Sequence, residues 1–267
     1  MTAAIDTTRL AEQGDQPEPL FPVEPTFNAL SLCTGVGGLD LGFERAGMTT
    51  VGQVELSEFC RAVLTKHWPK VPKHDDVRTC VDWWRSEARP GVDLIAAGFP
   101  CQPASLAGPR LGENDERWLW PDVDRVIGEL RPEWFVFENV PGLRTMGLGA
   151  VLADLDRRGY RVRVGEISAC AVGFPHPRNR LFGLAHAPRF RRPGRGSAGP
   201  GPALLEREGR GQKSGWGWAA GSRPHGVAYG LPSRVDRLRG IGNAVVPAVA
   251  EYVGRLILAA DLEQAAA

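Results

Sequence analysis

Between residues 28 and 185 the chain alternates short apolar runs with longer amphipathic segments, and no other feature restricts its fold as tightly. Residues 29–33, 50–55, 92–97, 134–138, 161–169 and 181–185 read as strands. Segments 39–46, 57–67, 118–130 and 149–158 read as helices. Ser57 offers an N-cap, Arg131-Pro132 stops the third helix, and Gly159 closes the fourth. Strands alternating with helices imply a parallel sheet covered on both faces. A chain of 267 residues suits one large α/β domain, or one such domain with a small appendage.

The pattern fails at both margins. Residues 1–27 are polar, proline-bearing and aperiodic, and are expected to form a flexible N-terminal tail. In residues 187–230, rich in glycine and proline, Arg189, Arg191, Arg192, Arg195, Arg207, Arg210, Lys213 and Arg223 face only Glu206 and Glu208. A solvated linker has that composition. A basic loop with Trp216 and Trp218 interleaved also suits a phosphate backbone and stacked bases. Order is expected again over 248–260, an amphipathic helix that follows Gly242-Asn243-Ala244-Val245-Val246-Pro247.

A net charge of +1 means that nucleic-acid binding, if any, rests on local patches of this kind. The five cysteines include no C-x-x-C pair, which argues against zinc spacings and a disulfide framework and for a reduced, cytoplasmic chain. The five histidines show no ligand spacing, so no metal is expected. No apolar stretch approaches about 20 residues, and residues 1–19 lack a basic region followed by an apolar one. A soluble protein that is not exported is expected.

Chemistry-bearing residues gather where strands end. Thr34-Gly35-Val36-Gly37-Gly38 separates the first strand from the first helix, where glycines let backbone approach a ligand. Glu55 ends the second strand, a place from which a carboxylate accepts ribose hydroxyls, and Asp75-Asp76-Val77 adds an acidic position suited to an adenine amino group. These residues point to an adenosine-containing cofactor and leave NAD and S-adenosylmethionine open. Cys101, in Gly98-Phe99-Pro100-Cys101-Gln102, follows the apolar run 93–97 instead of sitting within it, which presents a thiol at the sheet edge. Glu138 ends the strand 134–138, and Arg178 and Arg180 point the same way if Pro175-His176-Pro177-Arg178-Asn179-Arg180 is extended.

Taken in order, TGVGG, Glu55, Asp76-Val77, Pro100-Cys101-Gln102, Glu138-Asn139-Val140, the Arg-x-Arg element and Gly242-Asn243-Ala244-Val245 resemble the DNA (cytosine-5) methyltransferases over residues 28–260, in a short form similar to bacterial and phage-borne members. The resemblance implies a Rossmann-like S-adenosylmethionine-dependent methyltransferase fold with a reduced target-recognition region. It implies methyl transfer to C5 of cytosine in double-stranded DNA, with Cys101 attacking C6 of a flipped base, Glu138 at N3, Arg180 at O2 and Arg178 orienting the site. Cofactor contacts are expected from Cys33, Thr34, Gly35, Gly37, Gly38, Glu55, Asp76, Val77, Gly98, Pro100, Leu119, Asn243 and Val245. DNA contacts are expected from Gln102, Ser105, Arg191, Arg192, Arg195, Trp216 and Trp218. On this reading residues 28–186 form the catalytic and cofactor-binding domain, 187–230 a short basic target-recognition segment, and 231–267 a segment returning to the catalytic domain. The expected partners are duplex DNA, engaged as a monomer, and a cognate restriction endonuclease.

The chain departs from the family pattern at three places. Cys33 stands where an aromatic usually precedes the glycine turn, His176 where Gln usually precedes the arginines, and the recognition segment is short. Few side chains held in a groove imply a target of about two to four base pairs, or relaxed specificity, with strongly salt-dependent binding. An exocyclic-amine methyltransferase would need Pro-Pro-aromatic where Pro-Cys-Gln stands. An NAD-dependent oxidoreductase leaves Cys101, Glu138 and the arginine pair without a use. A non-catalytic DNA-binding relative and an RNA-directed member both stay open.

Overall fold

The computed structural model describes residues 27–100, 118–174, 176–191 and 234–265. Its strands are β1 (Asn28–Leu32), β2 (Thr49–Val54), β3 (Lys73–His74), β4 (Leu94–Ala97), β5 (Trp134–Asn139), β6 (Arg161–Ile167) and β7 (Arg180–His186). They form one sheet in the order β3-β2-β1-β4-β5-β7-β6. The helices are α1 (Gly38–Ala46), α2 (Glu58–His67), α3 (Cys80–Arg85), α4 (Trp120–Leu130), α5 (Leu143–Met146), α6 (Leu148–Arg157), α7 (Arg234–Asn243) and α8 (Pro247–Ala265).

Strands β4 and β5 are buried at every position, as central strands covered on both faces must be. Alternate side chains serve opposite layers. Leu94, Ala96, Trp134 and Val136 join Leu39 and Phe43 of α1 and Val253 and Ile257 of α8. Ile95, Ala97, Phe135 and Phe137 join residues of α3, α4 and α6, among them Trp84, Val123, Ile127, Val151 and Leu155. Helices α1 and α8 approach closely through glycine. A side chain at Gly42 would run into Ala250, and one at Gly254 into Ala46 and Phe43.

From β1 the chain passes through α1 and α2 to β2 and β3 on one side, then returns through α3 to set β4 on the other side of β1. Such a reversal opens a crevice at the C-terminal ends of the two strands it divides. The turn after β1 and the exit from β4 meet there.

The expected wholly parallel sheet is corrected in one respect: β7 runs antiparallel between β5 and β6. Among the described residues of 168–179, which link β6 to β7, there is a single 3-10 turn at Ala169–Val172, and twelve positions are too few for the helical crossover that a parallel return requires. Phe27, assigned by sequence to the tail, is buried. Helices α3, α5 and α7 and strand β3 add to the elements read from the sequence. The Ser57 N-cap forms as expected, its hydroxyl accepting from the Cys60 amide at 3.4 Å. Among the described residues no helix is long and apolar enough to cross a membrane.

Candidate active site

At the C-terminal end of β1 the chain turns sharply. Cys33 takes a positive φ of 52°, and the Thr34 hydroxyl donates to the carbonyls of Ser31 and Val54 at 3.2 Å. Gly35 follows at φ +60°, with nothing within 4 Å of where a side chain would begin. Its amide donates to Glu55 Oε2 at 2.7 Å, while the Ser57 amide donates to Oε1 at 2.8 Å. Both oxygens of Glu55 are thereby fixed at the rim of the turn as acceptors. Asp76 caps the one-turn helix Val77–Thr79 by accepting from the Arg78 amide at 2.9 Å, and Val77 is buried. Burial first, then the charges of Glu55 and Asp76, push the Cys33 thiol up to about 12, so it stays protonated. On the other side of the turn, the Val245 carbonyl packs against Gly38 in the first turn of α1.

Strand β4 exits through Gly98, Phe99 and Pro100. Phe99 is buried among Trp118, Trp120 and Phe137, and its carbonyl accepts from Asn139 Nδ2 at 3.0 Å. That bond clamps the β4 exit to the end of β5. One residue earlier on β5 lies Glu138, 6% exposed, with Oε2 4.0 Å from where a side chain at Gly98 would begin. Arg180 Nε stands 2.9 Å from Glu138 Oε1. Burial pushes the Glu138 carboxyl up to about 7, with Arg180 and Arg178 pulling the other way. The antiparallel course of β7 makes this meeting possible. Arg180 begins β7 at the edge where β5 ends, and a parallel β7 would carry it to the opposite edge. Arg178, at φ 23°, sends Nη2 to the carbonyls of Gly242 and Ala244 at 2.7 and 2.6 Å, which ties the link between α7 and α8 to this edge.

The profile of the C-5 cytosine-specific DNA methylase family matches residues 27–192. The chain belongs to that family. It is 32% identical over 165 residues to the Type II methyltransferase M2.BsuMI of Bacillus subtilis, covering 58% of this chain and 41% of the relative. It is 31% identical over 190 residues to the Type II methyltransferase M.BspRI of Lysinibacillus sphaericus, covering 58% and 43%. The chain thus spans about two-fifths of the length of these curated relatives. In fold it is similar to the Dnmt2 methyltransferase of S. pombe, with a TM-score of 0.51 and 22% identity over 61% of this chain and 51% of that one.

For a C-5 methylase chain, the residues picked from sequence fall into four groups. Cys33, Thr34, Gly35, Gly37, Glu55, Asp76, Gly98, Pro100, Glu138, Arg178 and Arg180 occur in turns and strand ends along one edge of the sheet, where Gly38 opens α1 and Val77 opens the one-turn helix. Leu119 precedes α4 and is half-buried, Asn243 ends α7 exposed, and Val245 is half-buried against α1. Cys101, Gln102, Ser105, Arg192, Arg195, Trp216 and Trp218 lie outside the described residues. Arg191, expected at DNA, lies 3.4 Å from the buried Asp261 of α8 at the other end of the strands. Sequence reasoning passed over Asn139, although it stands in the same short motif as Glu138, and Ser57, whose amide secures Glu55. Among the described residues there is no group of side chains suited to a metal ion.

Proposed function

We propose that this chain transfers a methyl group from S-adenosylmethionine to C5 of cytosine in double-stranded DNA, through a covalent bond between Cys101 and C6 of a base flipped out of the duplex. The observation that carries this reading is Glu138, a buried carboxyl that keeps its proton up to about neutral pH, faces Arg180, and borders the backbone leading to Cys101.

The residues of the crevice fit the cofactor. Bare backbone at Gly35 beside Glu55 leaves room for a ribose, whose hydroxyls the remaining lone pairs of Glu55 would accept, with Asp76 and Val77 toward the adenine. The pyrophosphate of NAD calls for donors at a helix N-terminus, whereas the first turn of α1 meets the Val245 carbonyl, an acceptor. When bound, S-adenosylmethionine supplies an electrophilic methyl group.

Cytosine C5 is too weak a nucleophile to take that group unaided. Addition of the Cys101 thiolate to C6 turns C5 into an enamine carbon that can attack. Protonated Glu138 donates toward N3 as negative charge moves onto the ring, a contribution on the scale of roughly 10²–10⁴ in rate. Arg180 presents its guanidinium to O2. Arg178 acts from behind by holding the Gly242 and Ala244 carbonyls. After transfer a base removes the C5 proton and the C6–S bond breaks, the electron pair returning to sulfur. Flipping the base costs a few kcal/mol, offset by these contacts. The Type II relatives make an endonuclease of matching specificity the candidate partner in the cell.

Bisulfite sequencing of DNA from cells expressing the protein tests the activity and reads the target. Duplex DNA carrying 5-fluorocytosine at that target tests the chemistry, because fluorine blocks the final elimination. The unaltered protein should form an adduct that survives detergent, and Cys101→Ser should form none while still binding S-adenosylmethionine. An adduct on Cys101→Ser overturns the nucleophile. Expression without new methylcytosine overturns the activity.

A further inference from the structure

At the opposite end of the strands from Glu138, the ends of α4 and α6 and the turn after β7 line a half-open cavity of about 370 Å³. Register measures the separation. His186 pairs with Trp134 while Phe182 pairs with Glu138, so the strand end next to the cavity is about 14 Å along the strand from the Glu138 position at ~3.4 Å per residue. The cavity therefore belongs to neither the cofactor crevice nor the reactive edge.

Its walls carry more positive charge than the neighbouring acids neutralise. Arg158 makes a two-pronged pair with Asp124, Nε at 2.6 Å and Nη2 at 2.7 Å, and Arg157 pairs with Asp154. Arg131 and Arg189 have no carboxylate partner among the described residues. Arg131 Nε donates to the Gly128 carbonyl at 3.4 Å, and Arg189 to the Arg158 carbonyl. The guanidinium groups of Arg158 and Arg189 lie on bare backbone, since a side chain begun at Gly128 or Gly159 would run into them. One wall is flat and apolar: Phe190 packs against Tyr160 with centroids 5.7 Å apart and under Arg189 at 4.8 Å, beside the buried Ile127. The Tyr160 hydroxyl is committed to the Pro132 carbonyl at 2.5 Å and holds that wall in place.

We propose that this cavity binds a ligand of the nucleotide class, with its phosphate on Arg131 and Arg189 and its base against Phe190. Planar guanidinium groups match phosphate oxygens two at a time. The volume falls at the small end of the ~300–1,000 Å³ typical of ligand clefts, enough for one nucleotide and too little for a dinucleotide. Two sources share this chemistry, a free mononucleotide and one unit of a nucleic-acid strand.

Isothermal titration of the full chain, saturated with S-adenosylmethionine, with 5′-dAMP, inorganic phosphate and an eight-nucleotide oligo-dA tests the site. The expected result is dAMP binding that survives the saturated cofactor crevice and weakens at least tenfold in the Arg131→Ala/Arg189→Ala protein. Phe190→Ala should weaken dAMP and leave phosphate unchanged. A tighter oligonucleotide whose binding falls in the same variant marks a strand as the source, and an excluded oligonucleotide marks a free nucleotide. Displacement of dAMP by S-adenosylmethionine, binding indifferent to both arginines, or no heat at millimolar dAMP overturns the proposal. Thermal melting of each variant, expected within a few degrees of the unaltered protein, separates lost binding from lost fold.

Discussion

Glu55 and Glu138 stand in equivalent places and are put to opposite uses. Each ends the run of a parallel strand at the same sheet edge, with β1 and β4 between their strands. Glu55 is half-exposed and accepts two backbone amides, those of Gly35 and Ser57. Glu138 is buried, faces guanidinium groups instead of amides, and holds a proton to about pH 7. One carboxylate is built to accept hydrogen bonds and the other is able to donate one. Solvent access and the partner supplied by the neighbouring strand decide between them, since the residue type and the strand position are the same.

The comparison breaks most visibly if Glu138 is replaced. Glu138→Gln keeps the shape and removes the proton. Single-turnover transfer should fall roughly 10²–10⁴-fold, with S-adenosylmethionine affinity unchanged by calorimetry. Equal loss of affinity would mean that the two glutamates do not divide the work.

Next in size is a pH effect on stability. Glu138 has a folded pKa of about 7, above the unfolded value of 4.5, so the folded state binds the proton more tightly. Its contribution is therefore complete below pH 4.5 and is lost as pH rises to about 7, on the order of 3 kcal/mol across the window. Asp40, buried under hydrogen bonds from Ser31 and Gln53 and raised by burial to about 6, slopes the same way. Denaturant melts from pH 4.5 to 8 should show the slope shrinking in Glu138→Gln and keeping the Asp40 part. An identical slope in both proteins would show that the Glu138 carboxyl is not raised.

Glu55→Ala sharpens the other half. Losing the acceptor should weaken S-adenosylmethionine by roughly 1.5–3 kcal/mol, while the rate at saturating cofactor stays within a few-fold. The smallest effect is expected at Ser57→Ala, which removes the cap of α2 but keeps the amide on Glu55. Stability should fall by about 0.5–2 kcal/mol with little change in cofactor affinity.

Sequence exposed most of the sheet because central strands buried on both faces are written as unbroken apolar runs, as in Leu94-Ile95-Ala96-Ala97. It also exposed Glu138 and Glu55, which end such runs. Strand direction was hidden, because nothing in Arg180–His186 itself says which way it lies. The short link 168–179 settles that, and with it the meeting of Arg180 and Glu138. The partners of Arg178 were out of reach, sixty-four and sixty-six positions along the chain. Helix α7 escaped because Gly240 and Gly242 mask Val235, Leu238 and Ile241, which recur at helical spacing.

The pairing of α1 with α8 also sets an order of events during synthesis. Leu39, Phe43, Leu94, Ala96 and Val136 share a cluster with Val253 and Ile257, so one face of the sheet lacks its cover until α8 leaves the ribosome. At ~5–20 residues per second, the roughly 200 positions between the two helices take about 10–40 s to translate. Through that interval the nascent sheet carries a greasy face that chaperones would have to shield. A message broken anywhere before the codons of α8 yields a chain that never closes it, and such a fragment is exposed to aggregation or proteolysis.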